Sequence, residues 1–261
     1  MVVLVSLGAS GLRRWINIIA YIFTVVVNSL AGSTRVLGGK STADISNANL
    51  TLITPAGYVF SVWGVIYVLL GVFVVFQALP SQQDAVFQKQ IGWLFVLSSS
   101  ANIAWLFLWQ FEYLVLSVVV MFLLLSALIL TYRRLGVGKS AVKMSEKLAV
   151  HVPFSVYLGW ITIASIANIA VTLVSLRWDG FGISATAWAA FVTMLALAVT
   201  VFVVASRRDI AYALVIIWAL AGIAVKQTGE PIVVLLMETS IAVIIIASAA
   251  SLLAAKLRRK R

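Results

Sequence analysis

Between Lys147 and Arg177 the chain carries no Asp, Glu, Lys or Arg. At about 1.5 Å rise per residue, a helix of that length crosses the roughly 30 Å hydrocarbon core of a bilayer. A segment in lipid must satisfy its own backbone groups, which makes it helical. Its polar side chains must find partners inside a bundle or face a cavity. In this segment Tyr157, Trp160, Ala164 and Asn168 fall at i, i+3, i+7 and i+11, one stripe on one helix face. The same spacing of aromatics and Asn recurs at Phe60, Trp63 and Tyr67 and at Asn102, Trp105 and Trp109. Three such stripes predict one shared pocket.

The rest of the chain supports a membrane reading. It is 63% hydrophobic and 10% charged over 261 residues, with a mean hydropathy of +1.11, which excludes an ordinary soluble domain. The expected fold is an all-α, polytopic helical bundle. No Cys is present, so disulfides, thiolate metal sites and Cys nucleophiles are excluded. The net charge of +11 sits in short clusters between apolar runs, a pattern that sets orientation in a membrane rather than binding nucleic acid.

Eight spans are expected, at about 15–30, 55–79, 91–110, 114–132, 148–175, 183–205, 210–226 and 231–255. The first, preceded by Arg13-Arg14 and followed by Ser29-Leu30-Ala31, has the look of a secretory signal; a retained helix is the preferred reading. Residues 31–54 form the longest polar loop, a candidate lid. With both termini cytoplasmic, fifteen of the nineteen Lys and Arg lie on the inner side, and only Arg35, Lys40, Arg177 and Lys226 lie outside, as the positive-inside rule requires. This topology puts the three stripes in the outer half of the membrane, beneath the 31–54 loop. Trp15, Trp93, Trp178 and Trp188 read as interfacial aromatics. Trp63 and Trp160 lie deeper and read as pocket lining. Asn102 and Asn168 fit either pocket contacts or hydrogen bonds between helices.

At these residues the chain resembles the tryptophan-rich sensory protein family, the translocator proteins or TspO/MBR. Pro55-Ala56-Gly57-Tyr58-Val59-Phe60-Ser61-Val62-Trp63-Gly64-Val65-Ile66-Tyr67 resembles the family's second-helix motif, Asn102-x-x-Trp105 its third-helix motif, and Tyr157-x-x-Trp160-x-x-x-Ala164-x-x-x-Asn168 its fifth-helix motif. The resemblance implies a five-helix core over 12–176, with 177–261 adding three helices and a basic tail. It implies an outer-half pocket for porphyrins and other flat or bulky apolar ligands. Pocket lining is carried over to Trp63, Trp105, Trp160 and Ala164, and polar contacts or bundle support to Asn102 and Asn168. Tyr58, Phe60, Tyr67 and Tyr157 complete the candidate set. Two departures stand out: Tyr58 replaces the family's leading Trp, and Phe60 to Trp63 is one residue shorter than usual. On an α-helix that shortening turns Phe60 by about 100° relative to Trp63.

No catalytic or metal-ligand spacing is present, and His151, the single His, reads as a packing residue. The chain is expected to be no enzyme and to need no cofactor, with a tetrapyrrole as a candidate ligand; light-dependent porphyrin breakdown, an activity of some relatives, is a weaker expectation. Its partners are the lipid bilayer, a small apolar ligand and, as the family implies, a second copy in a homodimer. In a prokaryote the membrane is the inner or plasma membrane. Glu238 lies within the last span, where a carboxylate is expensive, and reads as ion-coupling or as paired with Lys226. Coupling through Glu238 defines the alternative function, a secondary transporter of a small amphipathic or apolar solute. Lys226 has no carboxylate counter-ion on the third span to support a Schiff-base role.

Overall fold

The computed structural model describes residues 9–32 and 36–258. Expectations resting on Arg35 and on Arg259, Lys260 and Arg261 lie outside the described residues. Among those described there are ten α-helices and no strand. They are α1 (Ala9–Gly32), α2 (Thr42–Ala48), α3 (Val62–Ala78), α4 (Val86–Ile91), α5 (Leu94–Gln110) and α6 (Leu114–Arg134). Next come α7 (Met144–Ser175), α8 (Ala185–Arg207), α9 (Ile210–Lys226) and α10 (Pro231–Arg258). Six of them, α1, α3, α6, α7, α8 and α10, are long and apolar enough to cross a membrane. The other two expected spans, α5 and α9, are 17-residue apolar helices, about 26 Å at 1.5 Å per residue.

The start of the second span departs from the expected straight α-helix at Pro55. Gly57–Ser61 forms a 3₁₀ turn, and α3 begins only at Val62. The third span starts at Leu94 rather than 91 because Gly92 takes a positive φ of 54° and ends the short α4 before it, a conformation that costs glycine little. The candidate lid also contains more structure than a loop. Ser41 accepts from the Asp44 amide and Asp44 from the Ser41 amide, a reciprocal capping box that starts α2.

α1, α3, α7, α6 and α5 close a five-helix ring, each packing on the next and α5 returning to α1. Outside the ring α9 packs on α7, α10 on α9, and α8 chiefly on α10. Close approach of α9 depends on Gly159 of α7, where a Cβ would lie 3.1 Å from the Tyr212 carbonyl oxygen and 3.2 Å from Val215 Cβ. At the end carrying the basic loops, Asp209 caps α9 by accepting from the Tyr212 amide. The same carboxylate accepts from the Tyr132 hydroxyl of α6 at 2.8 Å, and Arg207 lies over the Tyr132 ring. The junction of α8 and α9 is therefore fastened to the ring through buried polar contacts as well as apolar ones.

The ring also contains a polar stripe that crosses it. On α1, Asn17, Tyr21, Thr24 and Asn28 share one face at i, i+4, i+7 and i+11. Asn17 donates to Gln77 at 2.9 Å, Tyr21 to the Tyr67 carbonyl at 3.0 Å, and Asn28 to Asn102 at 2.8 Å. α1 is thus held to α3 and α5 by hydrogen bonds as well as by apolar packing.

Candidate functional site

The pocket lies inside the ring at the lid end, and each wall has a local cause. The 3₁₀ turn at Gly57–Ser61 has three residues per turn, so residues three apart come nearly into line. This reduces the rotation that the short Phe60–Trp63 spacing would otherwise impose. Both side chains meet the same ring edge-on: Phe60 and Trp63 each lie 6.0 Å from Trp160. Phe60 accordingly lines the pocket.

Trp63 is the hub of the aromatic cluster. It stacks on Tyr67 at 5.7 Å and on Trp105 at 5.8 Å, and meets Tyr157 edge-on at 6.1 Å. Trp105 in turn meets Trp109, tilted by 30° at 5.7 Å. Such offset and edge-to-face pairs are the favoured geometries for π systems. Asn168 fixes the far wall: its Oδ1 accepts from the Trp105 indole at 2.8 Å, while its Nδ2 donates to Ser117 at 2.9 Å. Ser117 in turn donates to the Leu114 carbonyl at 2.7 Å. One buried Asn thereby ties α5, α6 and α7 together and sets the plane of a lining Trp.

Trp63, Trp105, Trp160, Ala164, Asn168 and Phe60, drawn from all three stripes, line one pocket. The ceiling is Thr42, Ser46 and Ile53 of the lid and Pro55 just after it, with Trp109 beside them. Four other candidates lie elsewhere. Tyr67, Asn102 and Tyr157 stand outside the lining, and Tyr67 and Tyr157 back it through the Trp63 ring. Tyr58 is 48% exposed and packs edge-on against Trp218 of α9 at 5.3 Å. The possible ion-coupling residue Glu238 is exposed on α10, which contributes to neither the pocket nor the cleft beside it. Glu238 and Lys226 form no ion pair among the described residues. His151 is buried, as expected of a packing residue, but its Nε2 has no hydrogen-bond partner among the described residues.

The contribution of α9 is not marked by any of the three stripes. Ala219 and Ile223 line the pocket, the Trp218 indole donates to the Val59 carbonyl at 3.1 Å, and the Ala56 amide donates to the Gly222 carbonyl at 3.0 Å. Gln227 donates to the Thr51 carbonyl at 2.9 Å. The far end of the lid is held by an ion pair of Lys40 with Glu112 and by Trp109, which donates to the Thr42 carbonyl at 3.4 Å. The lid is thus pinned on both sides of the pocket. Two polar features remain open within it: the buried Trp160 indole N–H has no partner among the described residues, and Ser46 and Thr42 face it from above.

Comparison with protein families gives a match to the TSPO-like protein family over residues 14–253. The chain belongs to the TSPO-like family. The match runs through α8, α9 and most of α10, so the added helices fall within the matched region together with the ring. Membership makes this an integral membrane protein of the sensory or binding class. No curated protein and no solved structure matches the chain.

Proposed function

We propose that this TSPO-like protein binds an apolar, flat ligand in the aromatic pocket beneath the lid and serves as a binding or sensing protein rather than an enzyme. The observation that carries the reading is the enclosure itself: four Trp and one Phe converge on a cavity roofed by a pinned lid, with few polar groups in the lining. That is the composition of a small-molecule site. The unpartnered Trp160 indole supplies a donor for one acceptor atom of the ligand.

The free volume is about 40 Å³, against roughly 300–1,000 Å³ for an occupied small-molecule site. The described conformation is therefore a closed one, and binding is accompanied by movement of lining side chains, the lid or both. A tetrapyrrole demands the largest opening, so smaller flat hydrocarbons are the more economical occupants. With the bundle oriented by its basic clusters, the pocket lies in the outer half of the membrane.

The test is tryptophan-fluorescence quenching of the purified protein in nanodiscs by protoporphyrin IX and by pyrene, with Trp160→Phe and Ala164→Leu alongside. Saturable quenching by either probe, weakened at least fivefold by both substitutions, supports the reading. Quenching that never saturates, or that ignores both substitutions, contradicts it.

A further inference from the structure

A second cavity adjoins the pocket. α8 rests mainly on α10 and α9 and barely touches α7. This leaves a cleft between α7 and α8, floored by α9. Ile166 and Ala167 line it from α7, Val192, Thr193 and Ala196 from α8, and Leu220 from α9. Ile53, Ile163, Ala167 and Ile223 line both the cleft and the aromatic pocket. The two spaces therefore share a wall, and that wall consists of aliphatic side chains, one of them only a methyl group.

The two sides of the cleft lie at one depth. Ala167 is eight residues from the lid-side end of α7 at Ser175, and Val192 and Ala196 are seven and eleven residues from the lid-side end of α8 at Ala185. At 1.5 Å per residue these are about 12 Å, 10 Å and 16 Å from the lid-side helix ends, reaching no deeper than about the middle of a roughly 30 Å hydrocarbon core. Ile166 and Val192 are half-buried and form the mouth, while Thr193 and Ala196 are buried behind them. Thr193 carries the single polar side chain of the lining.

The alternative way in, through the lid, is closed differently. Lifting the lid breaks the Lys40–Glu112 ion pair, the Trp109 bond to Thr42 and the Gln227 bond to Thr51. Passing the shared wall breaks no hydrogen bond and asks only that Ile163 and Ile223 change rotamer around Ala167.

We propose that the pocket's ligand is a bilayer-dissolved, uncharged apolar compound that enters sideways from the lid-side leaflet through the cleft between α7 and α8. This rests on the ligand-binding reading above and adds to it the ligand's source and its path. A path, unlike a site, affects arrival and departure equally and leaves the equilibrium alone.

The experiment is stopped-flow energy transfer from tryptophan to pyrene in nanodiscs containing the full chain, reading the saturable component. Ala196→Phe fills the cleft, Val192→Trp obstructs its half-buried mouth, and Lys40→Ala with Gln227→Ala loosens the lid on both sides by removing the Glu112 ion pair and the Thr51 bond. If Ala196→Phe does not fold, Val192→Trp carries the test. The expected result is at least a tenfold fall in both association and dissociation rates for the cleft variants. Affinity stays within twofold of wild type in the cleft variants, and the Lys40→Ala/Gln227→Ala double variant changes neither rate. Wild-type rates in both cleft variants, or faster exchange in the Lys40→Ala/Gln227→Ala variant, overturn lateral entry while leaving the pocket reading intact. A tenfold loss of affinity in the cleft variants also overturns it, since the cleft would then be part of the site. No saturable transfer in wild type overturns the ligand-binding reading and the path with it.

Discussion

Gly222 is where the account of the added helices is most exposed to test. A Cβ built there lies 2.0 Å from Val59 Cγ2, with Val59 Cβ at 3.4 Å and Cγ1 at 3.7 Å. Carbon atoms in good contact sit about 3.5–4.0 Å apart, so Gly222→Ala forces an overlap of roughly 1.5–2 Å. Val59 is fully buried and its carbonyl is held by the Trp218 indole. Its β-branched side chain has few rotamers to escape into. The clash is relieved either by turning Val59 off its rotamer or by moving α9 away from the Gly57–Ser61 turn. Overpacking of this kind costs about 1–3 kcal/mol, a factor of roughly 5–150 in the folded-to-unfolded ratio.

The partner substitution, Val59→Ala, deletes the two methyls in question and alone costs about 1–2 kcal/mol for lost burial. The double variant should then be less destabilised than the sum of the singles by about 1 kcal/mol or more, because one change removes what the other strikes. The assay is reversible unfolding in mixed micelles with increasing dodecyl sulfate, followed by far-ultraviolet circular dichroism. Strict additivity, or a Gly222→Ala change within about 0.5 kcal/mol of wild type, refutes the packing of α9 on the motif turn.

Other expectations follow from the same geometry. Asn168→Leu strands the Trp105 indole and Ser117; at about 0.6–1.7 kcal/mol per interhelical bond it should cost roughly 1–3 kcal/mol in the same unfolding assay and shift tryptophan emission. Gln227→Ala releases the Thr51 carbonyl, so limited proteolysis should cut the segment around residues 49–56 faster than in wild type, while cleavage elsewhere stays the same. Glu238→Gln should leave saturable quenching unchanged, because Glu238 is exposed on a helix that lines neither cavity. Loss of pH-driven uptake into proteoliposomes in that variant would instead restore the transport reading.

The parts of the site legible in the sequence were those set by helical periodicity. Trp160, Ala164 and Asn168 share a face of one continuous helix, and Trp105 and Trp63 answer them from helices whose direction the charge clusters suggest. Tyr58 entered the candidate set through the resemblance, as the counterpart of the family's leading Trp, and lies outside the lining because it packs on Trp218, 160 positions later. That contact is long-range, and no local pattern announces it. Ala219, Gly222 and Ile223 are invisible for the same reason: small and aliphatic residues on an apolar helix have no distinguishing signature until the partner helix is known. Two signals were present and unread. The Ser41-x-x-Asp44 spacing marks the start of α2, and Asn17, Tyr21, Thr24 and Asn28 form a polar stripe on α1 as regular as the aromatic ones.

The central claim is that a ligand sits among Trp63, Trp105 and Trp160 beneath the lid, and the most direct measurement is an experimental structure of the protein with the tighter-binding of the two probes. The account predicts the probe's ring in edge or face contact with Trp160 and Trp63, a cavity enlarged well beyond about 40 Å³, and displacement of lining side chains or of the segment bearing Ser46 and Ile53. A probe found on the lipid-facing surface, with the Trp63–Trp105 stack still at 5.8 Å and the cavity unchanged, would contradict it.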